Sequence, residues 1–284
     1  MNLSSEIRIT KASGEQVPFS EEKLRQSLER SGATEPDITA VVEDVRDQLH
    51  DGIGTGKIYR KAYALLRKKS HANAARYKLK KAIMELGPSG YPFEQFIAAV
   101  IEQQGFEISV GKVVKGKCIH HEIDVFARKN EKLIMAECKF HNRPGVKCDV
   151  KVPLYIHSRF RDVMNGSENG SFSEFEGWIV TNTRFTDDAI SYGTCSGLVM
   201  LGWDYPRKSS LKKRIGLAGL HPLTCLSTLQ QKEKTYLLEK GIVLCRKVPE
   251  NEHLLRELGL SDNRIAKVNS ECEELVNELD VPPE

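Results

Sequence analysis

Residues 120–140 read HHEIDVFARKNEKLIMAECKF, two apolar runs joined by the polar loop KNEK. Strand interiors seldom carry charges, yet Asp124 lies in the first run, and Glu137 and Lys139 lie in the second. Side chains of a strand alternate between faces, so Glu137 and Lys139 project the same way and Cys138 projects to the other face. Antiparallel pairing across the loop would bring Asp124 within reach of Glu137. The stretch therefore predicts a β-hairpin with charged groups gathered at one end.

Two carboxylates close together in apolar surroundings repel each other unless a cation lies between them. A hard divalent ion with oxygen ligands, such as Mg²⁺, resolves that conflict. Such an ion can polarise a phosphodiester oxygen and activate a water, while an ammonium group stabilises the developing charge. The Glu-x-Lys spacing alone carries little weight, since Glu21 and Lys23 repeat it in a predicted helix. Only the second copy lies in an apolar strand opposite an aspartate.

The segments around this hairpin predict an α/β fold. A helix begins at about Pro92, and strand-like runs follow at FEISVGKVV, HEIDVFAR and KLIMAECKF. VPLYIHSRFRDVM then predicts a helix, GWIVTNT a strand, FTDDAISYGTCS a helix and GLVMLGW a strand. Meandering strands followed by alternation indicate a mixed sheet flanked by helices.

Residues 91–204 resemble the Mrr-type branch of the PD-(D/E)xK restriction endonuclease-like superfamily. The resemblance is carried by the helix YPFEQFIAAVIEQQGFE, by HEIDVFA and AECKF, and by GWIVTNTRFTDDAISY followed by GLVMLGWD. It implies that Asp124 and Glu137 are metal ligands, with the backbone carbonyl of Cys138 as a third, and that Lys139 is the catalytic lysine. Glu94 matches a carboxylate that the first helix often directs at the site, although a solvated glutamate is nearly as good an interpretation.

The first third of the chain predicts a hairpin over residues 7–19 and helices that end at the linker GPSGYP. IRITKASGEQVPFSEEKL, DGIGTGKIYRKAYALL and RYKLKKAI resemble the ATP-cone domain, a regulatory nucleotide-binding module. The resemblance implies an ATP or dATP site, and the residues that fit its pattern are Lys11, Gly14, Ser20, Lys23, Thr55 and Tyr59. Lysines and helix N-termini suit a triphosphate, and Tyr59 is expected against the base or ribose. GIGTGK is not a phosphate-binding loop, because Asp51 replaces its first glycine and Ile58 its hydroxyl residue.

The last segment, from about residue 206, is predicted to be mostly helical, with a short strand at GIVLC, residues 241–245. Gly241 and Gly259 each lie at the end of a helical stretch. A small helical bundle is the favoured interpretation, and a helix-hairpin-helix DNA-backbone binder is the alternative. The expected units are residues 1–88, 89–205 and 206–284.

Composition restricts the class of protein. The chain has 284 residues, 40% of them hydrophobic, a net charge of +3 and no apolar run near the ~20 residues of a membrane span. Seven cysteines without a CxxC pair predict free thiols and a cytoplasmic location. Basic residues flank the hairpin and suit a polyanion: Lys112, Lys115, Lys117, Arg143, Lys147 and Lys151.

The sequence thus predicts a Mg²⁺-dependent DNA endonuclease regulated by ATP or dATP, in restriction, defence or repair, and acting as a dimer or larger assembly. The alternative is a non-catalytic, nucleotide-responsive DNA-binding protein that uses the nuclease fold as a platform. A complete Asp, Glu, Lys set favours the enzyme.

Overall fold

The structure, a computed structural model, describes residues 7–11, 14–166 and 172–277. Within them the chain folds as an α/β protein with several sheets and a helical C-terminal unit, as the sequence predicts. No helix in these ranges is long and apolar enough to cross a membrane.

The N-terminal unit is mostly helical, with a small three-stranded sheet in the order β2-β1-β3. Its elements are β1 (Arg8–Thr10), β2 (Gln16–Pro18), α1 (Glu21–Glu29), α2 (Glu35–Arg46), β3 (Ile53–Gly54), α3 (Thr55–Lys69) and α4 (His71–Met84). β1 and β2 form the predicted hairpin, and residues 12 and 13 of its turn lie outside the described ranges. Ser20 caps α1, since its hydroxyl accepts the Lys23 backbone N–H at 3.3 Å.

The central unit is a five-stranded mixed sheet in the order β10-β8-β6-β5-β4. Its elements are α5 (Tyr91–Glu102), β4 (Glu107–Lys115), β5 (His120–Lys129), β6 (Lys132–Lys139), β7 (Lys147–Cys148), α6 (Lys151–Met164), β8 (Glu174–Thr181), β9 (Arg184–Phe185), α7 (Asp187–Cys195) and β10 (Val199–Leu201). β5 pairs antiparallel with β4 and β6, whereas β8 runs parallel to β6 and β10. The predicted order of major elements is confirmed, with two short strands, β7 and β9, added.

Helices cover both faces of this sheet, because alternate residues of each buried strand point to opposite sides. Phe93 and Phe96 of α5 pack with Ala136 on one face. Phe160 of α6 packs with Met135 on the other face. The alternation of β6 therefore places Glu137 and Lys139 on the same face of the sheet as Met135, the face that α6 covers.

The C-terminal unit packs directly on the central one. Its elements are α8 (Leu211–Leu217), α9 (Gln231–Glu239), α10 (Glu252–Glu257) and α11 (Asp262–Asn277), with 3₁₀ segments at Leu223–Cys225, Cys245–Lys247 and Pro249–Asn251. The strand predicted over residues 241–245 is wrong: this stretch makes one isolated bridge, Pro222 to Leu244, and then enters a 3₁₀ turn. Its apolar residues are buried against helices instead of a neighbouring strand.

Helix α4 belongs to two cores at once. Ala74 packs into the core of the N-terminal unit, whereas Leu79 and Ile83 pack into the core shared by α5, the sheet and the C-terminal unit. Near its C-terminal end, Lys80 donates to the backbone carbonyl of Asn182 at 3.0 Å. The N-terminal unit is thereby joined to the sheet by packing as well as by the chain.

Candidate active site

The hairpin brings Asp124, Glu137 and Lys139 together. Val125 of β5 pairs with Ala136 of β6, which places Asp124 opposite Glu137 at the next position. The Asp124 Oδ2 accepts the backbone N–H of Cys138 at 2.7 Å. The Lys139 Nζ lies 2.5 Å from the Glu137 Oε1, as expected for side chains two residues apart on one face of a strand.

Glu137 is a buried charge, with 3% of its surface exposed. A carboxylate in that position is tolerated only when cations and hydrogen bonds satisfy it. Lys139 engages one oxygen, and the Arg159 Nη1 donates to the other, Oε2, at 2.6 Å. Both oxygens of Glu137 therefore contact a cation.

Arg159 is a site residue that the sequence reasoning missed. It lies in the third turn of α6, and its guanidinium also donates to the Tyr155 hydroxyl at 2.9 Å and covers the Tyr155 ring at 4.8 Å. The spacing of Tyr155 and Arg159 places both on one face of the helix. Nothing in that spacing predicts which strand the face would meet.

Burial, and after it the crowding of carboxylates, raises two pKa values at the site. Burial raises the pKa of Asp124 to about 6, and the charge of Glu137 adds to the shift. Burial likewise raises the pKa of Glu94 to about 7, with further contributions from Asp124 and Glu122. Glu94 of α5 therefore lies in the same electrostatic environment as the hairpin carboxylates, which supports the predicted approach of this helix to the site.

For Lys139, burial and the neighbouring charges shift the pKa in opposite directions. Burial lowers the pKa of its ammonium group, but the hydrogen bond from Nζ to Glu137 and the charges of Glu137 and Asp124 outweigh burial, so the pKa lies above its ordinary value. Lys139 is therefore protonated at neutral pH. It can stabilise negative charge or orient a water, but it cannot act as a base in this state.

Carboxylate and carbonyl oxygens, such as those at this site, are the ligands that Mg²⁺ prefers. Across the described ranges, no three His, Cys, Asp or Glu side chains are grouped closely enough to hold a metal by themselves. Asp124 and Glu137 would supply two carboxylate ligands, and the remaining ligands would be the Cys138 carbonyl and water. Mg²⁺ is commonly held by one or two carboxylates and keeps several waters. The excess of partly buried carboxylate charge at Asp124 and Glu94 is what such a cation would relieve.

The pKa of Asp124 leads to a stability prediction for the metal-free protein. Its folded value of about 6 lies above the ordinary 3.8, so the folded state binds the proton more tightly than the unfolded state. The cost of ionising Asp124 is thus fully present above pH 6 and disappears below pH 3.8. Asp124→Asn is expected to raise the free energy of unfolding at pH 8 by about 1–3 kcal/mol. Urea unfolding in EDTA at pH 8 and pH 5 measures this, and the gain should be smaller at pH 5. A loss of stability at pH 8 would contradict the unfavourable ionisation of Asp124 in the folded protein.

Two residues at the start of β5, His121 and Glu122, contact α6. The His121 Nε2 lies 2.8 Å from the Asp162 Oδ2. The backbone carbonyl of Glu122 accepts from the Arg159 Nη1 at 3.3 Å. His121 and Asp162 therefore attach the start of β5 to the helix that carries Arg159.

The predicted nucleotide-site residues form two groups. Lys11 and Thr55 follow directly after Thr10 and Gly54, which are paired neighbours in parallel strands, so they lie at the same end of the sheet. Gly14 is near them, since its N–H donates to the Lys11 carbonyl at 2.9 Å. Lys11 itself pairs with Glu15 at 2.9 Å.

Ser20 and Lys23 lie at the other end of β1, because Pro18 pairs with Arg8. Tyr59 is stacked between two rings, Tyr63 at 6.3 Å and Tyr77 at 5.2 Å between centroids. Its hydroxyl is buried, and the described part of the chain offers it no hydrogen-bond partner. Contact of the Tyr59 hydroxyl with a nucleotide would require the side chain to move.

The chain is similar to proteins that have no assigned activity. Residues 221–276 match the family model described as AF1548-like, C-terminal. An uncharacterized protein of Archaeoglobus fulgidus is 36% identical over 181 residues, which cover 63% of this chain and 99% of that protein. The crystal structure of a protein of unknown function, AF1548, matches with a TM-score of 0.54 and 34% identity over 66% of this chain and 98% of that one. Identity at this level over nearly the whole of the relative shows that the chain belongs to the AF1548-like family.

Proposed function

We propose that the protein is a Mg²⁺-dependent DNA endonuclease of the PD-(D/E)xK type, regulated by ATP or dATP at its N-terminal unit. The observation that carries the proposal is the cluster of Asp124, Glu137 and Lys139 at the end of two paired strands. Its excess of carboxylates, with Glu94 nearby, is unfavourable for a site with only a structural role. The AF1548-like relatives have no assigned function and do not bear on the activity.

In this proposal Asp124, Glu137 and the Cys138 carbonyl would hold the ion. Bound Mg²⁺ would polarise the phosphodiester and activate the attacking water. Lys139 orients that water and stabilises negative charge that develops on the phosphate, because its ammonium group stays protonated. Three exposed cations between β6 and the first turn of α6 would contact the DNA backbone: Arg143, Lys147 and Lys151.

A direct test is nicking of supercoiled plasmid by the purified full-length chain. Relaxed and linear products should appear with Mg²⁺ and disappear when EDTA is added. Asp124→Ala should yield no product while still shifting DNA in a gel. Equal nicking by wild type and Asp124→Ala would assign the activity to a contaminant and contradict the proposal. DNA binding by the wild type without any nicking, with or without ATP and dATP, would favour the platform alternative.

Nucleotide regulation is supported by the position of α4. This helix packs in the core of the predicted nucleotide module, and Lys80 near its end contacts Asn182. The Asn182 side chain in turn accepts from the His141 N–H at 2.8 Å and donates to the His141 carbonyl at 2.9 Å. His141 follows Lys139 by two residues. A shift of α4 on nucleotide binding would therefore act on the end of the catalytic strand.

The predicted pocket can be tested by nucleotide titration. Lys11→Ala and Lys23→Ala are each expected to weaken ATP binding about 10- to 100-fold, because each removes a charged hydrogen-bond donor to a phosphate. Isothermal titration with ATP and with dATP measures this. Lys68→Ala is the matched control, since Lys68 is an exposed lysine in the last turn of α3, at the end opposite Thr55. Unchanged affinity in the first two variants would refute this pocket.

The proposal includes a cytoplasmic location and a self-associated state. The first is supported by seven free cysteines, of which five are buried. The second follows from the need to cut two strands and can be measured by sedimentation.

A further inference from the structure

Arg159 has a geometry that the proposed chemistry does not yet use. Its side chain is mostly buried, with 16% exposed, and its Nη1 is bonded to Glu137. Its Nε is buried, and within the described residues no acceptor bonds to it. We propose that Arg159 is a catalytic residue with two partners: it pairs with Glu137 while the ion is absent, and it binds the phosphate of the DNA once Glu137 ligates the ion. This inference rests on the proposed nuclease function.

The first argument is competition for Glu137. Its two oxygens contact Lys139 at 2.5 Å and Arg159 at 2.6 Å. A divalent cation at the same carboxylate would be repelled by both groups at short range. One of them has to move away when Glu137 becomes a ligand.

Arg159 is the cation that can move. Lys139 is two residues from Glu137 on the same strand, whereas Arg159 reaches the carboxylate from α6 with a long side chain. The guanidinium has a second anchor in Tyr155, which stacks on it and accepts from Nη2 at 2.9 Å. Tyr155 is 60% exposed, so the pair faces the side from which a polyanion would approach.

The second argument concerns the positive charge of Arg159 after Glu137 has become a ligand of the ion. A mostly buried guanidinium that has given up its carboxylate is costly until it finds another anion. A phosphodiester is that anion, and arginine binds phosphate oxygens with two parallel hydrogen bonds. Ion binding at Glu137 and phosphate binding at Arg159 would therefore favour each other.

The alternative is a purely structural clamp that joins α6 to β6. The two roles differ in ion affinity, because a competing cation weakens ion binding, whereas a clamp that orders Glu137 strengthens it. Titration of the full-length protein with Mn²⁺, without DNA and followed by the EPR signal of free Mn²⁺, measures this directly.

Arg159→Gln is expected to bind Mn²⁺ about tenfold more tightly than the wild type, since a nearby positive charge is removed. Its plasmid cleavage at saturating ion, with and without ATP and dATP, is expected to fall about 100-fold in kcat. Arg159→Lys keeps the positive charge but lacks the paired N–H donors of the guanidinium. It should therefore bind Mn²⁺ as the wild type does and recover only part of the cleavage rate. If the glutamine variant does not fold, Arg159→Met, which keeps an aliphatic side chain and also removes the charge, supplies the Mn²⁺ measurement with the same expected gain. Arg161→Gln is the matched control, an exposed arginine of the same helix that should leave both readouts unchanged.

Equal or weaker Mn²⁺ binding by Arg159→Gln would overturn the competition, and an unchanged kcat would overturn the phosphate role. Failure of the nuclease proposal is distinguishable from both. A wild type that never cleaves DNA contradicts the function and the phosphate role together. The Mn²⁺ titration then still decides whether Arg159 competes for Glu137, with Asp124→Ala as the variant that should lose the ion.

Discussion

Lys139→Met should lower kcat for plasmid cleavage about 100- to 1,000-fold, as expected when a group that stabilises developing charge is removed. Methionine keeps the length of the side chain but removes the ammonium that lies 2.5 Å from Glu137. DNA affinity should change little, because the exposed cations that would hold the backbone remain. Single-turnover cleavage and gel-shift titration separate these two quantities.

Lys132→Met is the control on the same strand. Lys132 lies at the opposite end of β6 and pairs with Glu176 at 2.5 Å, so its loss removes a lysine without touching the site. Its cleavage rate should stay within about twofold of the wild type, since partly exposed ion pairs contribute little. Wild-type cleavage by Lys139→Met would eliminate the catalytic lysine and leave the carboxylates without their proposed partner.

Phe160→Ala is expected to lower the free energy of unfolding by about 3–5 kcal/mol. Phe160 is 1% exposed and packs edge-to-face on Phe175, with ring centroids 6.1 Å apart. Its ring packs on the backbone of Gly177 in β8, so closely that a Cβ added at this glycine would lie 2.7 Å from the ring. This packing holds α6, and with it Arg159, against the sheet. Loss of the ring leaves a cavity that the rigid strand cannot fill.

Urea unfolding monitored by circular dichroism measures this effect, and Leu154→Ala is the control. Leu154 lies on the same helix but is 44% exposed, so its truncation should change stability by less than about 0.5 kcal/mol. Similar losses in the two variants would contradict the assignment of this stability to packing of Phe160 on the sheet, because alanine does not lower the helix propensity at either position.

Local patterns were sufficient for the elements that are close in sequence. The hairpin of β5 and β6 forms because two apolar runs flank a short polar loop, and it pairs in the register that places Asp124 opposite Glu137. The serine before α1 caps it, as its position predicts. Each of these results depends on residues of one hairpin or one helix end, where backbone periodicity and a short turn set the geometry.

The strand prediction at residues 241–245 was wrong because it depended on a partner that the local sequence does not reveal. Its apolar run has the composition of a strand, but a strand needs a partner, and the described residues of the helical C-terminal unit provide one bridging pair. A short apolar run cannot be assigned from periodicity when its neighbours are unknown.

The sequence by itself determined the fold class, the hairpin and the three-residue set of Asp124, Glu137 and Lys139. Only the tertiary structure decided that Arg159 completes the contacts of Glu137, that α4 is shared by two cores, and that Lys11 and Thr55 lie together while Lys23 lies at the other end of β1. The physical reason is that alternation along a strand is a property of neighbouring residues. The face of a helix that meets a given strand is set by packing between elements far apart in the chain.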